Sequence, residues 1–281
     1  MSNECFDEAP LSPFFLESKR LREFGRQNRI PVTMTWELTP YCNLNCPMCY
    51  VHLTPAQAAS KGKHLTAAQW LELGRQFAEM GLMYVNITGG EPLLHPEFWE
   101  IYEGVCRLGI YPTIFTNGCL IDERAIEHLK QYPPRTIKLS LYGASDETYE
   151  RMCGVKNGFT KVKRAIELLI DAGIYPFLTT TVIKQNRDDL EAMTRFAFEH
   201  NLLLAATDEI VQSARGADTD AEAVRVSIRE QKTDLASLEA KRLQKEYGPE
   251  LFSTCHSYGG SGVVTWHGHL QVCDFFDLNL L

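Results

Sequence analysis

At 281 residues the chain is long enough for one large α/β domain with a small appendage, and 36 acidic against 28 basic residues leave a formal charge of −8. That balance excludes bulk contact with a phosphate backbone, which depends on clustered Lys and Arg, so no nucleic-acid partner is expected. The start, Met1 to Glu8, has neither the basic nor the apolar region of a secretory signal, and no apolar run approaches the roughly 20 residues of a membrane span. The expectation is a soluble, cytoplasmic chain with no membrane partner, whose nine cysteines serve metal or redox chemistry rather than disulfides.

Residues 1–30 read as an N-terminal extension. From 31 to 210, short β-rich runs alternate with amphipathic helical stretches, the pattern of βα units and a parallel sheet. Strands are predicted at Val32–Leu38, Tyr84–Thr88, Pro112–Thr116, Thr136–Leu141, Phe177–Ile183 and Leu203–Asp208. Between them, Thr66 and Gln69 form a capping box ahead of Trp70, Leu73, Phe77 and Met80 on one helical face. Another helix sets Val162, Ala165, Ile166 and Leu169 on one stripe and stops at Gly173. Six such units predict an α/β fold, a partial (β/α)6 TIM-type barrel with functional loops at the C-terminal ends of its strands.

Directly after the first strand runs Thr39-Pro40-Tyr41-Cys42-Asn43-Leu44-Asn45-Cys46-Pro47-Met48-Cys49-Tyr50, a C-x3-C-x2-C spacing. Pro40 and Pro47 keep this segment out of helix and strand, so it is a loop that wraps something. Three thiolates can hold three irons of a cubane cluster and leave the fourth open for chemistry. The alternatives are a structural zinc knuckle, for which no close partner completes a tetrahedron, or a cluster whose fourth cysteine is distant in sequence. The second strand ends in Thr88-Gly89-Gly90-Glu91-Pro92, where glycines permit close approach of the backbone to a ligand. Thr116-Asn117-Gly118 closes strand three, and Ser140 lies on strand four. Asp208 and Glu209, at the end of strand six, are within reach of the same opening, although no carboxylate stands in a motif that fixes a catalytic role. Cys5, Cys106, Cys119 and Cys153 read as small buried hydrophobes or incidental thiols.

Residues 211–250 form a connecting segment in which Asp218 to Tyr247 is charged and helix-favouring, a solvated helix. After Gly248 the composition shifts to Gly, Ser, His, Cys and aromatics, and 251–281 reads as the start of a small module. Val263–Trp266 and Leu270–Val272 predict a β-hairpin with His267-Gly268 at its turn, bringing Cys255 and Cys273 toward one another. That arrangement suggests a metal site, with zinc on a Cys/His mixture including His256, His267 or His269 as one form of it.

The cysteine loop, with the aromatic Tyr50 after it, resembles the defining motif of the radical S-adenosylmethionine (SAM) superfamily, and further matches carry the likeness over roughly 31–210. The resemblance implies a [4Fe–4S] cluster on Cys42, Cys46 and Cys49, whose open iron takes the amino and carboxylate groups of SAM. One-electron reduction would then cleave the sulfonium to a 5′-deoxyadenosyl radical that abstracts a hydrogen atom. It implies that Gly89, Gly90 and Glu91 hold the SAM amino group and that Tyr50, Asn117, Ser140 and Arg151 belong to the same site. Arg164 rivals Arg151 for the carboxylate, and Thr179, Thr180, Thr181 and Val182 include one backbone or side-chain contact to the adenosine. The segment of Cys255 and Cys273 is similar to the opening of the SPASM extension, which implies an auxiliary [4Fe–4S] cluster with an incomplete ligand set. An end as apolar as Leu278-Asn279-Leu280-Leu281 reads as interrupted. Relatives of this type imply a peptide or protein substrate and a one-electron reductant such as flavodoxin or ferredoxin. The rival readings are a small cofactor precursor such as a tetrapyrrole, and a zinc-stabilised binding module or inactive pseudo-enzyme.

Overall fold

Short β-branched runs followed by amphipathic helices produce a chain that repeatedly lays a strand and returns over one face of the same sheet. The computed structural model describes residues 13–211, 215–226 and 261–271. Helix α1 (Pro13–Asn28) precedes β1 (Thr33–Glu37), and α2 (Pro55–Lys61) and α3 (Ala67–Glu79) lead to β2 (Tyr84–Thr88). Then come α4 (Phe98–Arg107), β3 (Tyr111–Thr116), α5 (Glu123–Gln131), β4 (Thr136–Ser140), α6 (Asp146–Cys153) and α7 (Gly158–Asp171). The described chain ends with β5 (Phe177–Thr181), α8 (Leu190–Glu199), β6 (Leu204–Thr207), α9 (Ala221–Val224), β7 (Ser261–Val264) and β8 (Leu270–Gln271).

The six predicted strands all form, with half of their ends trimmed by a residue or two and β3 one residue longer at its start, and they lie in parallel from β6 through to β1. The hairpin forms as well, but it joins the main sheet. Strand β7 pairs in parallel with β1, Thr33 opposite Ser261, and β8 turns back antiparallel on β7. Docking there covers an edge of β1 that would otherwise leave a row of backbone donors and acceptors unpaired. The sheet runs β6-β5-β4-β3-β2-β1-β7-β8 and is not closed.

Strand side chains alternate between two unlike faces. One face carries Met34, Trp36, Val85, Ile87, Ile114, Ile137, Leu139 and Leu178, all buried. Trp36 stacks on Trp70 of α3 with ring centroids 5.1 Å apart, which identifies this as the helix-covered side. Helix α3 starts at the predicted capping box, where Thr66 N donates to Gln69 Oε1 at 2.9 Å. On α7 the predicted stripe of Val162, Ala165, Ile166 and Leu169 is buried. The opposite face presents Thr33, Thr35 and Glu37 of β1, then Tyr84, Asn86 and Thr88 of β2, in matched register. It continues through Thr113 and Phe115 to Lys138 and Ser140, and on to Thr179 and Thr181. The lumen of the partial barrel is therefore polar.

The long connecting helix is overturned in its first part. Within the described residues only Ala221–Val224 is helical, and the chain leaves the helix at Arg225, which is extended at φ −61°, ψ 139°. Arg225 donates to the Ile210 carbonyl at 3.0 Å and Val224 accepts from Lys184 N at 3.0 Å, so tertiary bonds replace the next helical turn. Ala217, Ala221 and Val224 are buried, while Asp218, Asp220, Glu222 and Arg225 stay exposed, so the segment packs on one side and is solvated on the other. Residues 227–260 lie outside the described residues.

Trp70 is fully buried against Trp36, so Trp70→Ala should cost about 3–5 kcal/mol. Urea unfolding followed by far-ultraviolet circular dichroism reads this directly, and a loss below about 1 kcal/mol would show that the stack does not hold α3 on the sheet.

Candidate functional site

The site is assembled where β1, β2 and β3 end. Past Glu37 the chain cannot continue as a strand, because Pro40 has no donor, and it becomes the cysteine loop. Cys46 is buried, and Cys42 and Cys49 are partly buried. The loop closes on itself through Leu44 N donating to Cys42 Sγ at 3.4 Å, His52 N to Cys49 Sγ at 3.3 Å, and Cys49 N to the Cys46 carbonyl at 3.1 Å. Asn45 N donates to the Cys153 carbonyl at 2.8 Å and ties the loop to the end of α6.

The turn after β2 is the seat of this loop. Gly90 N donates to the Thr39 carbonyl at 2.7 Å and Glu91 N to the Tyr41 carbonyl at 2.8 Å. A Cβ at Gly90 would lie 2.2 Å from Tyr41 O, and one at Gly89, where φ is +139°, 2.3 Å from Thr39 O. The close approach expected of these glycines is to the chain's own cysteine loop, because its backbone fills the space a side chain would take. Glu91 is fully buried, and its carboxylate accepts from Thr116 Oγ1 and Asn117 N, each at 2.8 Å, and from Leu93 N at 3.3 Å. Burial raises its pKa to about 7, against hydrogen bonds that lower it. Its oxygens thus join the turn after β2 to the end of β3. Asn117 completes the join, with Nδ2 donating to Asn43 Oδ1 at 2.8 Å and lying 3.7 Å from Cys42 Sγ.

The electrostatics suit thiolates completed by metal. Burial raises Cys42 to about 12, with Glu91, Cys46 and Cys49 adding to the rise. Burial also raises Cys49, helped by Cys46 and Glu37, while Cys46 is raised by its contact with the Cys153 thiol and by burial. Metal binding reverses this, since the ligand is the deprotonated form. Among the described residues no three His, Cys, Asp or Glu side chains converge on a point that could hold one metal ion.

The other predicted residues distribute unequally. Ser140 faces the lumen, and of the three threonines Thr179 and Thr181 do so while Thr180 is buried on the helix side. Tyr50 lies at the end of the loop and accepts from Arg215 N at 3.2 Å. Arg151 is on α6, where its guanidinium donates to the Gln185 carbonyl at 3.0 and 3.1 Å and to Thr148 Oγ1 at 3.1 Å. Arg164 forms an exposed ion pair with Glu123 and joins α7 to α5. Cys255, Cys273 and His256 lie outside the described residues.

The residues after β6 close the site from a direction that sequence did not suggest. Arg215 is 1% exposed and donates through Nε and one terminal nitrogen to both carboxylate oxygens of the buried Glu37, at 2.8 and 2.9 Å. Thr219 Oγ1 donates to the Cys49 carbonyl at 2.9 Å. Lys184 Nζ reaches the Ala223 carbonyl at 2.8 Å, so residues 215–224 link the mouth of β1 to that of β5. Tyr142, just past β4, belongs here too, since its hydroxyl is pushed up by burial and by Cys46, Cys153 and Cys49.

Comparison with known proteins places this arrangement. The family described as the Radical SAM superfamily matches residues 36–197, more than half of the chain. PqqA peptide cyclase of Gluconobacter oxydans is 31% identical over 169 residues, covering 60% of this chain and 46% of that protein. AdoMet-dependent heme synthase of Methanosarcina barkeri is 29% identical over 191 residues, 68% of this chain and 54% of that one. The chain thus spans about half the length of the curated relatives it matches. Among solved structures, Streptococcus suis SuiB bound to its precursor peptide SuiA superposes with a TM-score of 0.68 at 17% identity, covering 97% of this chain and 67% of that one, which shows the fold.

Removing one partner of the Glu37–Arg215 pair leaves a buried charge without its counter-ion, so Arg215→Met should lower stability by about 3–5 kcal/mol. The double variant Glu37→Gln, Arg215→Met should recover much of that loss, and additive losses in the unfolding midpoints would show that the pair is not coupled.

Proposed function

Since the chain belongs to the radical SAM superfamily, we propose that Cys42, Cys46 and Cys49 hold a [4Fe–4S] cluster beside bound SAM and that the polar lumen receives a peptide or protein substrate. The observation that carries this reading is the seating of a three-cysteine loop on the Gly89-Gly90-Glu91 turn, at the C-terminal ends of parallel strands. When bound, the cluster and SAM supply one-electron cleavage of the sulfonium to a 5′-deoxyadenosyl radical that abstracts a hydrogen atom.

The chain's own residues position and enclose. The turn at Gly89 and Gly90 offers backbone carbonyls to the SAM amino group, while Glu91 holds that turn against β3. Asn117 sets the Cys42 end of the loop, and Ser140 and Thr179, opposite one another on β4 and β5, offer hydroxyls to the ribose or adenine edge. Arg151, one turn from the end of α6, offers a guanidinium to the SAM carboxylate. Arg215 neutralises Glu37 beneath the loop, and the segment that carries it keeps water from the Cys49 side. No described carboxylate is assigned as the catalytic acid.

A peptide substrate is supported by the likeness to a PqqA peptide cyclase and by the shared fold with SuiB in complex with a precursor peptide. A small-molecule substrate such as a tetrapyrrole is the second reading, favoured by the likeness to an AdoMet-dependent heme synthase. A gene for a short peptide beside this one would support the first. The auxiliary cluster on Cys255 and Cys273 stays part of the proposal, with those two thiols as partial ligands.

Replacing Cys42, Cys46 and Cys49 together by Ala should abolish 5′-deoxyadenosine formation under anaerobic conditions with dithionite, because nothing then anchors the cluster. Product at the wild-type level in the triple variant would contradict the assignment of these ligands.

A further inference from the structure

The lumen holds a polar cavity at the N-terminal ends of the strands, which the reading above does not use. It encloses about 110 Å³, far more than the roughly 10–15 Å³ that one water needs, and is lined by Arg22, Thr33, Tyr84, Asn86, Thr113, Arg135 and Lys138. Register places Lys138 on the same face of β4 as Ser140, two residues deeper, about 7 Å farther from the strand ends. The cavity is therefore the floor of the chamber whose mouth carries the cysteine loop.

We propose that this floor is a subsite for a carboxylate of the substrate, bound by Lys138 and Arg22 with the Thr113 hydroxyl. The inference deepens the proposed function, since it rests on the lumen being the substrate chamber. Among the described residues the lining holds three cations and no carboxylate. Neither Lys138 nor Arg22 forms an ion pair among the described residues, and the Lys138 ammonium lies 4.8 Å over the Phe115 ring. Thr113 is 1% exposed and its hydroxyl has no hydrogen-bond partner, although a buried hydroxyl left alone costs on the order of 1–3 kcal/mol. A carboxylate resolves both conditions at once, because it accepts the hydroxyl proton and neutralises the ammonium. The Lys138 pKa is lowered by burial, then by Arg135 and Arg22, the direction that an arriving anion reverses. Arg135, stacked 4.6 Å over the Tyr84 ring, adds positive potential at the wall.

Acidic peptide side chains and small-molecule acids share this chemistry, and the test separates them from other anions. The full chain is titrated calorimetrically with N-acetylglutamic acid amide, which carries only the side-chain carboxylate, with glutarate and with inorganic phosphate. The expected result is saturable carboxylate binding at one site per chain, weakened at least tenfold in Lys138→Met and restored in Lys138→Arg. Lys130→Met, exposed on α5, should bind as wild type does. Binding of the glutamic acid amide in preference to glutarate would point to a peptide source, and the reverse to a small-molecule acid. No saturation with either carboxylate, equal affinity in Lys138→Met, or phosphate bound tenfold more tightly than both would overturn the proposal. Circular dichroism of Lys138→Met, matched to wild type, keeps a folding defect from passing as lost binding. The substrate-free yield of 5′-deoxyadenosine in wild type reports separately on the parent reading. Should wild type form none, the parent reading fails while the titrations still decide the floor.

Discussion

The cysteine loop has no regular structure of its own, and its shape is set by the turn on which it rests. Two backbone hydrogen bonds, from Gly90 to Thr39 and from Glu91 to Tyr41, hold it there, with glycine Cβ positions already filled by loop carbonyls. The same turn is locked from behind by the Glu91 carboxylate, which bridges to Thr116 at the end of β3 and to Asn117 just past it. Any side chain at Gly90 would push the loop away, and any shift of β3 would move Asn117 from its bond to Asn43. The position of three thiols thus depends on strand pairing between β1, β2 and β3, which the hydrophobic helix-facing side of the sheet keeps rigid.

The polar lumen follows from the same alternation. In a parallel sheet covered on both faces, strands read as nearly continuous apolar runs. Here only the helix side does so, and the other side carries hydroxyls, an amide and charges. Glu37 at the mouth is matched by Arg215, brought in from the segment after β6. Lys138, deeper on β4, meets no such match among the described residues, so the chamber is charge-balanced at its mouth and cationic at its floor.

Much of the fold was legible because the relevant signals are local. Capping boxes, the stripe on α7 and the alternating strands need only a few neighbouring residues to be read, and the hairpin turn at His267-Gly268 is of the same kind. The destination of that hairpin was not legible, since pairing between Ser261 and Thr33 joins residues from opposite ends of the chain. Within the described residues 218–226 the helix reading fails on either side of Ala221–Val224, because helix propensity is a weak prior and the bonds from Arg225 to Ile210 and from Lys184 to Val224 override it. In the site, the cysteine spacing was self-evident, but the packing of the two glycines against the carbonyls of Thr39 and Tyr41 was not, since it joins segments some fifty residues apart. Arg215 has no motif at all, and only the fold brings it to Glu37. Which of Thr179, Thr180 and Thr181 faces inward required register, as a slip of one residue exchanges the faces.

The central claim, that this seated loop presents three thiolates and leaves one iron for SAM, is tested most directly by electron paramagnetic resonance. Anaerobically reconstituted protein, reduced with dithionite, should give a [4Fe–4S] signal whose g-values move when SAM is added. A signal that is unchanged by saturating SAM, or protein that takes up zinc in place of iron, would contradict it.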